Sequence, residues 1–205
     1  MPERRILILY LHEHSGHHRA ALALEKAFKE IDPKIKCRSV DALRYTHPLL
    51  EKLIQGTYLQ IVKSEPEVWE RLYDNPLILK TIQKLRLATY RSESKRFKAF
   101  LEDFRPSAVL CTQAFPCGVV SDYKSTCSGL LPLYGVLTDF FPHAYWPAEN
   151  VNGYFVPAEE AKGKLRERGV ASDKIFVTGI PVDVFNRENH DASSNVPLVL
   201  VMGGS

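Results

Sequence analysis

The stretch RRILILYLHEHSGHHRAALALEKAF, Arg4 to Phe28, decides the fold. Its apolar run Ile6-Leu7-Ile8-Leu9-Tyr10-Leu11 reads as a buried strand. His12-Glu13-His14-Ser15-Gly16 then turns the chain into an Ala/Leu-rich helix. A strand, a tight loop and a helix N-terminus together leave backbone N–H groups without intrahelical partners, aimed at one point beyond the strand.

Ala20, Leu24, Ala27, Phe28 and Ile31 recur at the spacing of a buried helix face, with Glu25, Lys26, Lys29 and Glu30 opposite. His18 falls in or just before the first turn. There the positive end of the helix dipole favours a neutral imidazole, which suits a general base near pH 7. The alternative is that His18 caps or packs.

The chain has 205 residues, 45% of them hydrophobic and 25% charged, an ordinary composition for a globular protein able to bury a core. A net charge of +3 without a polybasic tail gives no reason to expect nucleic acid as a partner. Cys37, Cys111, Cys117 and Cys127 show neither CxxC pairing nor zinc-ligand spacing with the histidines, so no metal site, cofactor or disulfide is expected, and a reducing cytoplasm fits. Residues 4–11 are too short to span a bilayer and lack a signal-peptide cleavage site.

Strands are expected at 5–11, 35–40, 107–112, 132–138, 153–156 and 174–178, and helices at 17–31, 115–127 and 158–168. That alternation predicts an α/β fold: a Rossmann-like parallel sheet with helices on both faces. Residues 43–101 break the rhythm as a helical excursion punctuated by Pro48, Pro66 and Pro76. Between Asn75 and Lys98 it carries seven basic residues against Glu93 alone, a pattern open to an anionic membrane surface or to a solvated helix face. Residues 1–185 thus read as one domain and 186–196 as a polar linker. Residues 197–205 read as a new strand and glycine loop, Pro197 to Ser205, at which a second domain is truncated.

Two more strand-to-helix junctions belong on the same sheet edge as Ser15–Arg19, because ligands gather beyond the carboxyl ends of parallel strands. One is Thr138-Asp139-Phe140-Phe141-Pro142-His143 with Tyr145 and Trp146; the other is Thr112-Gln113-Ala114-Phe115-Pro116-Cys117. Asp139 either orients an imidazole or hydroxyl or makes a turn. The aromatics either line a channel or join the core, and Cys117 reads as a small buried hydrophobe.

Ser15-Gly16-His17-His18-Arg19-Ala20-Ala21 resembles the Gly-Gly-Gly-His-Arg segment of monogalactosyldiacylglycerol synthases and bacterial processive diacylglycerol glucosyltransferases. The resemblance continues through Leu137-Thr138-Asp139-Phe140 with His143 and Trp146, Tyr154 to Ala158, Lys174 to Val182, and Val199 to Ser205. It implies the N-terminal half of a GT-B glycosyltransferase. Such an enzyme is inverting, peripheral on the cytoplasmic face of the membrane, and moves a hexose from a UDP-sugar to a diacylglycerol-type lipid.

On that resemblance His18 is the general base, and Asp139 is the second catalytic candidate. Ser15, Gly16, His17, Arg19, Phe115, His143 and Trp146 would hold the acceptor, and Gly16, Gly203, Gly204 and Ser205 the donor. Ser15 and His17 stand where the family usually has glycine. The donor half is absent, so the chain alone should be inactive. The rival readings are a polyprenyl-linked or soluble acceptor on the same fold, and a nucleotide-binding oxidoreductase with Asp41 on a ribose. The first loop offers Gly16 but no Gly-x-Gly-x-x-Gly, which argues against the oxidoreductase.

Overall fold

A computed structural model describes residues 3–42, 96–126, 131–142, 144–146 and 149–183. The excursion (apart from residues 96–101), the linker, the 197–205 strand and His143 lie outside the described residues.

Six strands form one sheet: β1 (Arg5–Tyr10), β2 (Lys36–Asp41), β3 (Ala108–Cys111), β4 (Leu133–Val136), β5 (Gly153–Val156) and β6 (Ile175–Val177). All pairings are parallel and the spatial order is β2-β1-β3-β4-β5-β6. The helices are α1 (Gly16–Ile31), α2 (the described turns at 96–104), α3 (Ala114–Thr126) and α4 (Glu159–Glu167). The expected elements are therefore present, with ends displaced by one or two residues. Leu137 and Thr138 lie just beyond the β4 ladder, and a 3-10 turn at Ser172–Lys174 shortens β6 at its start.

The strand order explains why helices cover both faces. From β1 the chain moves one way to β2, and from β3 onward it moves the other way. Right-handed crossovers therefore put α1 on one face and α3 and α4 on the opposite one. Side-chain alternation matches: Ile8, Tyr10, Leu110 and Val136 pack with Ala21, Leu24 and Phe28 of α1. On the other face Leu7, Leu9, Val109, Cys111, Leu133 and Val156 pack with Phe97, Leu101, Val120 and Leu165. The reversal falls between β1 and β3, the place where an open parallel sheet leaves a crevice beyond its strand ends.

Helix α1 departs from its expected face. Ala20 and Ala21 are buried, but Ala27 and Ile31 are exposed. Glu25, expected in solvent, turns toward β2 and accepts from the Ser39 N–H at 2.9 Å and from Lys29 at 2.7 Å. Those bonds hold its carboxyl below the usual range against the opposing effect of burial.

Candidate functional site

Helix α1 begins on a capped loop. The Ser15 hydroxyl accepts from the His18 N–H at 3.2 Å and lies 2.8 Å from the His12 carbonyl, to which it donates. His12 and His14 both adopt left-handed backbone, φ 63° and 68°, which costs a non-glycine residue roughly 1–3 kcal/mol each. A Cβ added at Gly16 would meet nothing within 4 Å, so open space lies directly over the first turn.

The two adjacent imidazoles point to different sides of β1. His17 reaches over β3 and β4: its Nδ1 is 2.9 Å from the Thr112 carbonyl and 2.7 Å from Thr138 Oγ1. A carbonyl oxygen only accepts, so the proton sits on Nδ1 and the lone pair on Nε2. His18 lies on the α1 side of the sheet, stacked on Tyr10 with ring centroids 4.4 Å apart and planes 24° from parallel.

The Nδ1 of His18 accepts from the His14 N–H at 3.0 Å. The neutral His18 ring therefore carries its proton on Nε2 and presents a donor, the opposite tautomer to His17. Burial pushes this imidazole below its ordinary 6.5, with the Glu13 carboxylate opposing. The two half-buried rings thus differ in their anchoring: His18 stacks on Tyr10 with its Nδ1 on the His14 amide, and His17 is held through Nδ1 at Thr112 and Thr138.

Asp139 follows Thr138 and is half-buried beside His17. Burial pushes its carboxyl above the ordinary 3.8, and the His17 charge pulls it partly back. A raised carboxyl is protonated in the fold at pH values where the unfolded chain has already ionised. The cost therefore appears as pH rises above the unfolded value and is complete above the folded one. Asp139→Asn is expected to raise the melting temperature at pH 7, with the gain shrinking as pH falls toward 4. A gain independent of pH would show that the carboxyl is not the cause.

The other candidates divide. Ser15 caps α1, Arg19 is exposed on its first turn, and Phe115 packs half-buried against Leu11 and Ala42 at the strand ends. Phe140 and Phe141 are 58% and 68% exposed beside Asp139. Trp146 is only 2% exposed and packs edge-on against Tyr154, so it belongs to the core rather than to an acceptor surface. Gly203, Gly204 and Ser205 fall outside the described residues. Cys117 is buried between α3 and the sheet.

Thr112 and Thr138, which hold the His17 ring, were not assigned roles from sequence. The available signal was that each lies just beyond a strand of the sheet, Thr112 directly after β3 and Thr138 two residues after β4. Among the described residues no group of three His, Cys, Asp or Glu side chains could hold a metal ion, and no helix is long and apolar enough to cross a membrane.

Comparison with known proteins finds relatives among glycosyltransferases. A processive diacylglycerol beta-glucosyltransferase of Bacillus cytotoxicus is 31% identical over 199 residues, covering 95% of this chain and 48% of that protein. An uncharacterized glycosyltransferase of Bacillus subtilis, YkoN, is 27% identical over 207 residues, covering 98% and 55%. The apo lipopolysaccharide outer core galactosyltransferase WaaB aligns at TM-score 0.49 and 12% identity, over 84% of this chain and 44% of that one. The chain spans about half the length of the curated relatives it matches. The monogalactosyldiacylglycerol (MGDG) synthase profile matches residues 17–182, most of the chain, and the chain belongs to that family.

Proposed function

We propose that this chain is the acceptor half of a UDP-sugar-dependent glycosyltransferase that places a hexose on a diacylglycerol-type lipid, with His17 as general base. One observation carries the assignment of the base. The His17 ring is anchored through Nδ1–H to Thr112 and Thr138, which leaves the Nε2 lone pair for a substrate hydroxyl. The family's Gly-Gly-Gly-His segment can also be laid one residue earlier than Ser15–His18. Gly16 is then its last glycine and His17 its histidine.

In this mechanism the acceptor hydroxyl sits over Gly16 against Nε2. As its oxygen attacks the anomeric carbon, Nε2 takes the proton and the bond to the diphosphate breaks. The electron pair leaves with UDP, and the anomeric centre inverts. The imidazolium is held by the Thr112 carbonyl, the Thr138 hydroxyl and the nearby Asp139 carboxylate. The amides of the first turn of α1 face the same space and favour an anion there.

Phe140 and Phe141 form an apolar lip beside this point, suited to lipid chains at the surface of a bilayer. The enzyme would work on the cytoplasmic face, peripherally. A soluble acceptor would use the same base but would not need the lip.

The complete enzyme, this chain joined to a donor half, is expected to glucosylate diacylglycerol in vesicles from UDP-glucose. Phe140→Ser with Phe141→Ser should raise the apparent KM for vesicle-borne acceptor about tenfold and leave a short-chain, dispersed diacylglycerol unaffected. Transfer to soluble alcohols only, or equal losses on both acceptors, would overturn the lipid assignment.

A further inference from the structure

Resting on the reading of His17 as base, we infer that Thr138 is a positioning residue for it: the hydroxyl completes a two-strand clamp that fixes the plane of the ring. The clamp is built from neighbouring parallel strands. Thr112 directly follows β3, fully buried, with its N–H on the Leu9 carbonyl at 2.9 Å, so its own carbonyl is a fixed point at the sheet edge. Thr138 follows β4, where the preceding Leu137 is fully buried and donates its N–H to Phe155 at 2.8 Å.

One ring N–H therefore meets two acceptors, at 2.9 Å and 2.7 Å, on two rigid elements. A single acceptor would leave the ring free to pivot about one N–H···O axis; two acceptors fix its plane and so the direction of the Nε2 lone pair. The acceptors also differ in kind. The carbonyl can only accept and sets the tautomer. The hydroxyl accepts from Nδ1–H and keeps its own O–H to donate onward. When Nε2 gains a proton, Nδ1–H becomes a charged donor, and its bond to a hydroxyl already 2.7 Å away strengthens without reorganisation. Among the described residues the His17 ring hydrogen-bonds to no carboxylate. This separates orientation, supplied by Thr138, from charge, supplied by Asp139.

The test is a mutant cycle in the complete enzyme, with Thr138→Val, Thr138→Ser, His17→Ala and the Thr138→Val/His17→Ala double variant. Thr138→Val is expected to lower kcat about tenfold, the worth of one lost hydrogen bond, with the donor KM unchanged. Thr138→Ser should restore turnover, and Thr138→Val should cost nothing further in the His17→Ala background. Nitrogen NMR on this chain supplies a readout independent of turnover. His17 should show a protonated Nδ1 and an unprotonated Nε2 in both the parent and Thr138→Val, because the Thr112 carbonyl remains, while the Nδ1–H proton should exchange with solvent faster in Thr138→Val. Thr138→Ala serves as a second hydroxyl-free variant if the valine disturbs folding.

If His17→Ala abolishes turnover but neither hydroxyl-free variant moves kcat or the exchange of the Nδ1–H proton, the clamp is wrong and the base stands. An equal loss from Thr138→Val with and without His17 also overturns the clamp. Near-normal turnover in His17→Ala overturns the base itself.

Discussion

His17→Ala in the complete enzyme is expected to lower kcat by about 10³-fold, the scale of a lost general base, with little change in the donor KM. His18→Ala is expected to keep turnover within about tenfold of the parent. Its main effect should be on stability, about 1 kcal/mol, from the lost Tyr10 stack and the unpaired His14 N–H. The contrast follows from which strands each ring faces. His17 hydrogen-bonds at the ends of β3 and β4, on the far side of the strand-order reversal. His18 stacks on Tyr10 and accepts at Nδ1 from the His14 backbone N–H. Steady-state kinetics on both variants, with thermal melts alongside, decides between them. Equal losses in kcat, or the larger loss from His18→Ala, would return the base to His18.

The second large effect lies under the site. A Cβ at Gly135 would stand 2.6 Å from Trp146 Cζ3 and 2.8 Å from Tyr154 Cδ1, closer than side-chain atoms approach. Both rings are 2% exposed and cannot swing out to solvent without opening the core. Gly135→Ala is expected to cost about 3 kcal/mol, and Gly135→Val more, a large part of the 5–15 kcal/mol that holds a typical domain together.

Trp146→Ala should cost a comparable amount, about 3–5 kcal/mol, for the opposite reason: it leaves a cavity. The two errors are complementary. Gly135→Ala combined with Trp146→Phe should therefore lose less than the sum of the single variants. Urea unfolding midpoints check this, and strict additivity would mean that glycine and indole do not share one space.

The sheet and the three helices assigned from sequence were legible because each rests on a local pattern. β1 is apolar throughout, α1 repeats at the helical period, and α4 runs from just after Pro157 to the turn before Gly169, which has φ 88°. How the adjacent His17 and His18 rings divide their contacts was not legible. Adjacent helical residues differ by about 100° in direction. Which of the two looks over β3 and β4 depends on the spatial strand order, a non-local property.

Of the two readings open for the loop aromatics, channel or core, Trp146 takes the core, against the acceptor role that the resemblance implied. The corrective signal was Gly135, since a glycine inside a strand often marks the place where something bulky approaches the backbone. Glu25 was misplaced for a related reason: helical periodicity assigns it to solvent, but the Ser39 amide at its side gives a carboxylate a reason to turn inward.

His12 and His14 hold left-handed backbone that glycine would adopt without strain. A glycine loop samples many shapes before a ligand arrives, and each must be surrendered on binding. Residues with side chains have fewer shapes to surrender, so the ordering entropy of this loop is spent during folding rather than at the encounter with substrate. On the proposed function, the first turn of α1 would meet the acceptor as a template already cast. Replacing both histidines by glycine would be felt as slower, weaker capture of the acceptor even where every hydrogen bond to His17 survives.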